Sequence, residues 1–235
     1  AFTHQAANHP VKLWVQLLTE RFIERDSVSI LLRAVKSNFE TLENHQTGYR
    51  VILAILNATN SQNALIPRGD QLQTFQCEVF TLMENLVKEP TRLHITCMHK
   101  AGNFIVGSAV SVLPLDSPVP TRIAECVTRN FQDLALHLHG QWVVQSTLQA
   151  ISKFEGWRDA VPPPWWRNRL EDLGAAYLQC SASILELDEP YTENRYNILK
   201  NLVCGMFRKY KFTEANQQIV VRDREIREKH VRWKG

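Results

Sequence analysis

His137-Leu-His-Gly140-Gln-Trp-Val143-Val144 is one of three stretches of this chain that follow the same pattern. The others are His99-Lys-Ala-Gly102-Asn-Phe-Ile105-Val106 and His45-Gln-Thr-Gly48-Tyr-Arg-Val51-Ile52. Each reads His-x-x-Gly-x-x followed by two β-branched apolar residues. Each follows an apolar pattern of helical spacing and leads into another. One such match is noise, but three in one chain mark an internal repeat, and a repeat decides architecture before any single residue does. The glycine suits a tight junction between two helices, where it tolerates positive φ and close approach of the backbone. The valines and isoleucines after it suit packing of one repeat on the next. The histidine three residues before each glycine reads as structural, its imidazole capping the C-terminal end of the first helix.

Outward from these junctions the pattern stays helical. Residues 10–24 carry apolar positions at helical spacing behind Pro10. Ser27 or Ser29 can cap a helix bearing Ile30, Leu31, Val35 and Phe39, and Gly48 opens the next. A polar stretch, 57–71, has turn chemistry; helices are predicted at 72–88 and 90–99. Residues 114–120 form a proline-punctuated link, 121–138 one long amphipathic run, and Pro162-Pro-Pro-Trp-Trp166 an extended break. Helices resume over 167–187 and near Glu193. No convincing strand alternation is present. The expected fold is all-α, an array of two-helix repeats in a PUF/armadillo-like solenoid. Its spacing is irregular: 54 residues separate Gly48 from Gly102, and 38 separate Gly102 from Gly140. The repeat domain is expected over 1–212, with 213–235 a basic C-terminal helix or tail.

Charge is uneven. From Phe207 onward nine Lys/Arg face four Asp/Glu, a net +5, which leaves −2 for the rest of a chain whose total is +3. A basic tail suits sequence-independent phosphate contact. A solvated terminal helix with pairs such as Glu225–Lys229 and Glu228–Arg232 explains the same composition. No apolar run approaches the roughly 20 residues that cross a bilayer, so no membrane role is expected. Nothing at the N-terminus resembles a signal sequence. The five cysteines, an odd number without a CxxC, read as buried reduced thiols of an intracellular protein.

A helix ending in His-x-x-Gly before a helix opening x-x-Val-Val-Gln resembles the repeat of the Pumilio (PUF) family, most closely at Leu136-His-Leu-His-Gly140-Gln-Trp-Val-Val-Gln145. In that family the second helix of each repeat lines a concave face. One residue stacks on an RNA base and two read its edge. Carried over by position, the resemblance nominates Tyr49, Arg50 and Leu53; Asn103, Phe104 and Gly107; and Gln141, Trp142 and Gln145. Leu53 and Gly107 cannot read an edge, so two of the three triplets depart from the code. Asn194-Arg-Tyr196-Asn197-Ile-Leu-Lys200-Asn201, then Phe207-Arg-Lys-Tyr-Lys-Phe212, looks like the last repeat of the divergent nucleolar Pumilio-like proteins of ribosome biogenesis, with Arg195 in the glycine slot. It adds Tyr196, Asn197, Lys200, Arg208, Lys209 and Lys211 as candidate RNA contacts, and implies a nuclear or nucleolar location.

Other chemistry finds little support. His94, Cys97 and His99 are close in sequence, but only two share a helix face and no second ligand pair follows, so no metal is expected. No P-loop, G-x-S-x-G or GxGxxG is present, and no acid/base carboxylate pair stands out. No enzyme activity, cofactor or small-molecule substrate is therefore inferred. Trp14, Trp165 and Trp166 suit core or inter-repeat anchors. The expected function is non-catalytic binding of single-stranded or structured RNA, with a ribosomal RNA precursor as the ligand the resemblance implies. The rival is a HEAT/armadillo-like scaffold for a protein partner, suggested by the near-neutral charge of 1–206 and the missing edge-readers.

Overall fold

The structure, a computed structural model, describes residues 25–59, 70–154, 164–187 and 192–234. The helix expected over 10–24 lies outside the described residues, as do most of the 57–71 loop and Pro162-Pro163. Twelve helices and no strand are found among the described residues. The fold class is all-α, built of helical repeats.

Three repeats share one plan: a long helix, a short helix, then a junction and the helix that the glycine opens. They are α1 (Arg25–Ser37), α2 (Phe39–Glu43) and α3 (Tyr49–Ala58); α4 (Asp70–Val87), α5 (Pro90–Met98) and α6 (Gly102–Val112); and α7 (Pro118–Arg129), α8 (Phe131–Leu136) and α9 (Gly140–Lys153). A last pair, α10 (Pro164–Leu185) and α11 (Thr192–Lys209), is followed by α12 (Thr213–Lys234). The unequal intervals between glycines arise in the long arm. The 54-residue interval holds the 18 residues of α4 and the nine of α5, where the 38-residue interval holds 12 and six.

The helices form where apolar residues recur at helical spacing. In α3, Val51, Ile52, Ile55 and Leu56 are all fully buried, and in α9 so are Val143, Val144, Leu148 and Ile151. Each such side chain contributes on the order of 1.5–3 kcal/mol by leaving water.

The backbone departs from expectation at four places. Pro118 and Pro120 lie inside the first turn of α7, and Pro164 opens α10, because a proline in a first turn lacks only an N–H with no helical partner there. Trp166 therefore stands within a helix, fully buried, rather than in an extended break. The run 121–138 is two helices, broken at Asn130, whose Nδ2 donates to Cys126 O at 2.9 Å. Ser29 is interior to α1, and its hydroxyl donates to Glu78 Oε1 at 3.2 Å instead of capping. Cys97, Cys126, Cys180 and Cys204 are buried, but Cys77 is exposed. It lies off the α4 stripe of Val79, Leu82, Met83 and Leu86. Burial pushes the Cys180 thiol up to about 12.

The chain divides into two compact units, Ala1–Ile123 and Ala124–Gly235, with the division inside α7. In the first unit α1 packs on α4 and α3 on α6, so long helices meet long helices and glycine-opened helices meet their like. A buried ion pair also ties α2 to α5. Arg92 Nε and Nη2 donate to Glu43 Oε1 at 2.8 and 2.7 Å, and Glu43 is 1% exposed. Burial pushes the Glu43 carboxyl above its ordinary range, outweighing the pull of Arg92. In the second unit α8 packs on α10, α9 on α11, and α12 on both α10 and α11.

Candidate nucleic-acid interface

The three junctions are built alike. His45 Nδ1 accepts hydrogen bonds from the backbone N–H of Thr47 at 3.2 Å and Gly48 at 3.1 Å. His99 Nδ1 accepts from Ala101 at 3.2 Å and Gly102 at 3.3 Å, and His137 Nδ1 accepts from His139 and Gly140, both at 3.2 Å. The imidazole thus caps the start of the second helix, not the end of the first as its place in sequence suggested. A first turn has unpaired N–H donors, and a ring nitrogen with a lone pair satisfies two of them. The proton of the neutral ring is then on Nε2.

The glycines serve close approach and not an unusual φ, since no described glycine has positive φ. A Cβ on Gly48 would lie 2.9 Å from Leu42 Cδ2. On Gly102 it would lie 2.7 Å from Thr96 O, and on Gly140 2.8 Å from Leu134 O. The partner in every case is the residue six positions earlier, on the short helix.

This construction sorts the residues just after each glycine. Asn103 is 2% exposed and its Nδ2 donates to His99 O at 2.8 Å; Gln141 is 7% exposed and its Nε2 donates to Leu138 O at 3.0 Å. These two amides, expected to read a base edge, help close their own junctions. Gln145 and Gly107 are buried as well, while Tyr49 and Leu53 are half-buried. The residue in the second position is different. Arg50 is exposed, Phe104 is 51% exposed and Trp142 is 53% exposed. In the first unit three nominated side chains come together. The Tyr49 and Phe104 rings stack at 5.6 Å and 21°, and the Arg50 guanidinium lies 6.0 Å from the Tyr49 centroid. The result is an open strip of one cation and two aromatic faces.

The last pair follows the same register with an offset of 55 residues. Arg195, Tyr196, Leu199, Val203 and Met206 are buried, as are Gly140, Gln141, Val144, Leu148 and Ile151 in α9. Arg195, in the glycine slot, donates from Nη1 to Leu136 O at 3.4 Å. Tyr196, Asn197 and Lys200 do meet on one face of α11, but α12 covers them. Tyr196 donates its hydroxyl proton to Asp223 Oδ1 at 2.7 Å, and Lys200 pairs with Asp223 Oδ2. Arg227 donates from Nε to Asp223 Oδ1 at 3.2 Å and from Nη2 to Asn197 Oδ1, with its guanidinium 5.8 Å from the Tyr196 centroid. Burial alone would raise the Asp223 carboxyl, but the bonds from Lys200, Tyr196 and Arg227 hold it below the ordinary carboxylate range.

The remaining nominated cations do not form a patch with these. Arg208 Nε donates to Cys204 O at 3.3 Å, and Lys209 Nζ donates to Ser152 O at 2.8 Å and to Phe154 O, closing the end of α9. Lys211 is exposed at the turn into α12, with φ 63°. Asp223, Arg227 and the Glu43–Arg92 pair were not foreseen. The one signal in sequence was the i,i+4 spacing of Asp223 and Arg227 inside an otherwise basic tail.

Among the described residues no group of three His, Cys, Asp or Glu side chains is placed to hold a metal ion. No helix among them is long and apolar enough to cross a membrane.

No family model and no curated protein matches this chain. Among solved structures it is similar to the crystal structure of PUF-8 in complex with PBE-RNA, with a TM-score of 0.53 and 12% identity, over 96% of this chain and 60% of that one. The chain spans about three fifths of that neighbour's length. The likeness is one of fold: the repeats of this chain have a Pumilio-like helical architecture.

Proposed function

We propose that this chain binds single-stranded RNA without catalysis, through the second residue after each junction. The observation that carries this reading is the sorting at the junctions. The neighbours on either side are buried in two repeats and half-buried or buried in the first, while Arg50, Phe104 and Trp142 stand open at equivalent positions. A planar aromatic left half-exposed on a helix start suits stacking against a base, and a cation beside it suits phosphate. The RNA held by the PUF-8 neighbour of the same fold supports RNA as the ligand. Because the Asn103 and Gln141 amides already serve the junctions, binding is led by stacking and tolerates sequence. A ribosomal RNA precursor as the ligand, and with it a nucleolar location, is supported by the sequence resemblance at 194–212.

Fluorescence anisotropy with short labelled oligouridylate and mixed-sequence RNA tests the reading. Phe104→Ala and Trp142→Ala should each weaken binding by about 5- to 150-fold, the worth of one stacked base. Arg50→Gln should flatten the salt dependence. Unchanged affinity in both aromatic variants removes these positions from the account.

A scaffold role has one observation in its favour. Leu138, 58% exposed in the junction, and Trp142, four residues later and 53% exposed, are open apolar side chains suited to a protein partner. Trp142→Ala abolishing capture of a polypeptide while RNA affinity stays unchanged favours that role.

A further inference from the structure

Asn197, the residue of α11 that corresponds to the open Trp142 of α9, is covered together with its neighbours Tyr196 and Lys200 by the chain's own last helix. Tyr196, Asn197 and Lys200 stand where α9 has Gln141, Trp142 and Gln145, and all three are engaged by two residues of α12. The chemistry of that engagement is specific. The Arg227 guanidinium, a flat π-system, lies over the Tyr196 ring and bonds the Asn197 side-chain oxygen. The Asp223 carboxylate sits between the Lys200 ammonium and the Tyr196 hydroxyl. A nucleotide offers the same two features: a flat base that stacks and hydrogen-bonds at its edge, and an anionic phosphate that pairs with a cation. We infer that α12 is an intrachain competitor for RNA, in which Arg227 imitates a base and Asp223 a phosphate on the last repeat. The inference rests on the proposed RNA-binding function and adds a regulated end to that interface.

The hold of α12 suits displacement. In its described part the side chains it buries are Ile219, Ile226 and Asp223, while Val220, Val221, Arg222, Arg224 and Glu225 are exposed. Asp223 lies between the two apolar anchors, about one turn from each, and Arg227 follows the second. A docking contact held by ion pairs, here Lys200–Asp223 and Glu193–Arg227, is one that a polyanion exchanges with little net loss, because Lys200 freed from Asp223 finds a phosphate oxygen instead. Arg227 gains a phosphate partner in the same exchange. A single strand that reaches the last repeat thus releases α12, and the released helix carries its exposed cations to the RNA.

The test uses the full chain. Binding of a labelled oligouridylate is measured for the wild type, Asp223→Asn, and Glu225→Gln, which removes the same charge from the solvent face of the same helix. Amide hydrogen exchange over 213–229 is followed with and without RNA. The expected result is tighter binding by Asp223→Asn, by about tenfold, with little change in Glu225→Gln, as expected when a competing closed state is depopulated. RNA should also speed exchange in wild-type α12. Equal affinity in the wild type and Asp223→Asn overturns the inference, as does RNA that slows exchange in α12. If Phe104→Ala and Trp142→Ala weaken binding while Asp223→Asn changes nothing, the competitor fails and the RNA reading stands. If Asp223→Asn binds more tightly while both aromatic variants are silent, the competitor stands and the junction sites fail. If no variant binds the RNA, both are overturned.

Discussion

Gly140→Ala puts the repeat junction under a direct test, with Gly205→Ala as its control. Both glycines lie in helices of the second unit, and neither has positive φ, so alanine meets no backbone penalty at either. Helix propensity and the stiffer unfolded chain favour each alanine by about 0.5–1 kcal/mol. The surroundings differ. A Cβ on Gly205 meets nothing within 4 Å. A Cβ on Gly140 comes within 2.8 Å of Leu134 O and 3.0 Å of Leu134 Cα, and both are backbone atoms that cannot turn aside. Relief requires α8 to shift against α9, and overpacking of this kind costs about 1–3 kcal/mol. The cost outweighs the propensity gain in the upper part of that range, so Gly140→Ala should be destabilising by about 1–2 kcal/mol. Gly205→Ala should be stabilising by about 0.5–1 kcal/mol. At about 2–4 °C per kcal/mol for a chain of this size, the two variants melt roughly 4–10 °C apart. Thermal melts followed by far-ultraviolet circular dichroism read the difference. Gly174→Ala adds a stronger case, since its Cβ would lie 2.0 Å from Phe207 Cζ in a closed core, and it should be the worst of the three. Gly140→Ala melting at or above Gly205→Ala would refute the close-approach explanation of the motif.

Two further changes follow from the polar groups. His137→Ala leaves the N–H groups of His139 and Gly140 without their acceptor and should cost about 1 kcal/mol, as loss of an N-cap does, whereas His137→Asn should recover part of it; an unshifted urea midpoint for His137→Ala contradicts the capping role. Glu43→Gln concerns a carboxyl whose folded-state pKa is raised above its unfolded value of about 4.3, so the cost of its buried charge is absent below that pH and complete above the raised value. The amide keeps an acceptor for Arg92 and places a donor where Glu43 Oε2 has no hydrogen-bond partner among the described residues. The variant should be at least as stable as the wild type at pH 7, by up to about 1 kcal/mol, with the gap closing below pH 4; a deficit that grows with pH would contradict it.

The junction was legible in sequence because three constraints coincide there: a helix end, a close crossing and an apolar stripe, each with its own residue type. The direction of the histidine was not. Three residues before a glycine, an imidazole can reach back to orphan carbonyls or forward to orphan N–H groups, and spacing permits both. The unprotonated ring nitrogen is an acceptor, so it turns to the donors. Pro118 and Pro164 misled for a related reason: a proline reads as a break unless the following turn is known to start there. The roles of Asn103 and Gln141 were hidden by chemistry common to both uses, since an amide that can read a base edge can equally bond a carbonyl one turn away. The cover over Tyr196, Asn197 and Lys200 was beyond reach, because Asp223 and Arg227 lie about 30 residues later and pair only once α12 has docked.

The arrangement also gives a reason why the proposed contact falls at one position per repeat. The histidine, the glycine and the β-branched pair are committed to the cap, the crossing and the core, and in two repeats the residue after the glycine, Asn103 or Gln141, is committed to a junction carbonyl. Substituting any of them disturbs the packing of two helices at once. The second residue after the glycine takes no part in the cap or the close crossing and is exposed at all three junctions, as Arg50, Phe104 and Trp142. Variation at that position changes what a repeat presents to solvent while the scaffold stays fixed. In the last pair the same position is Asn197, and it is met by Arg227 from α12. The chain thus places its own helix on the equivalent position of its last pair and leaves Phe104 and Trp142 open. Selection there can act on α12, through Asp223 and Arg227, without altering the repeats that the proposal assigns to the ligand.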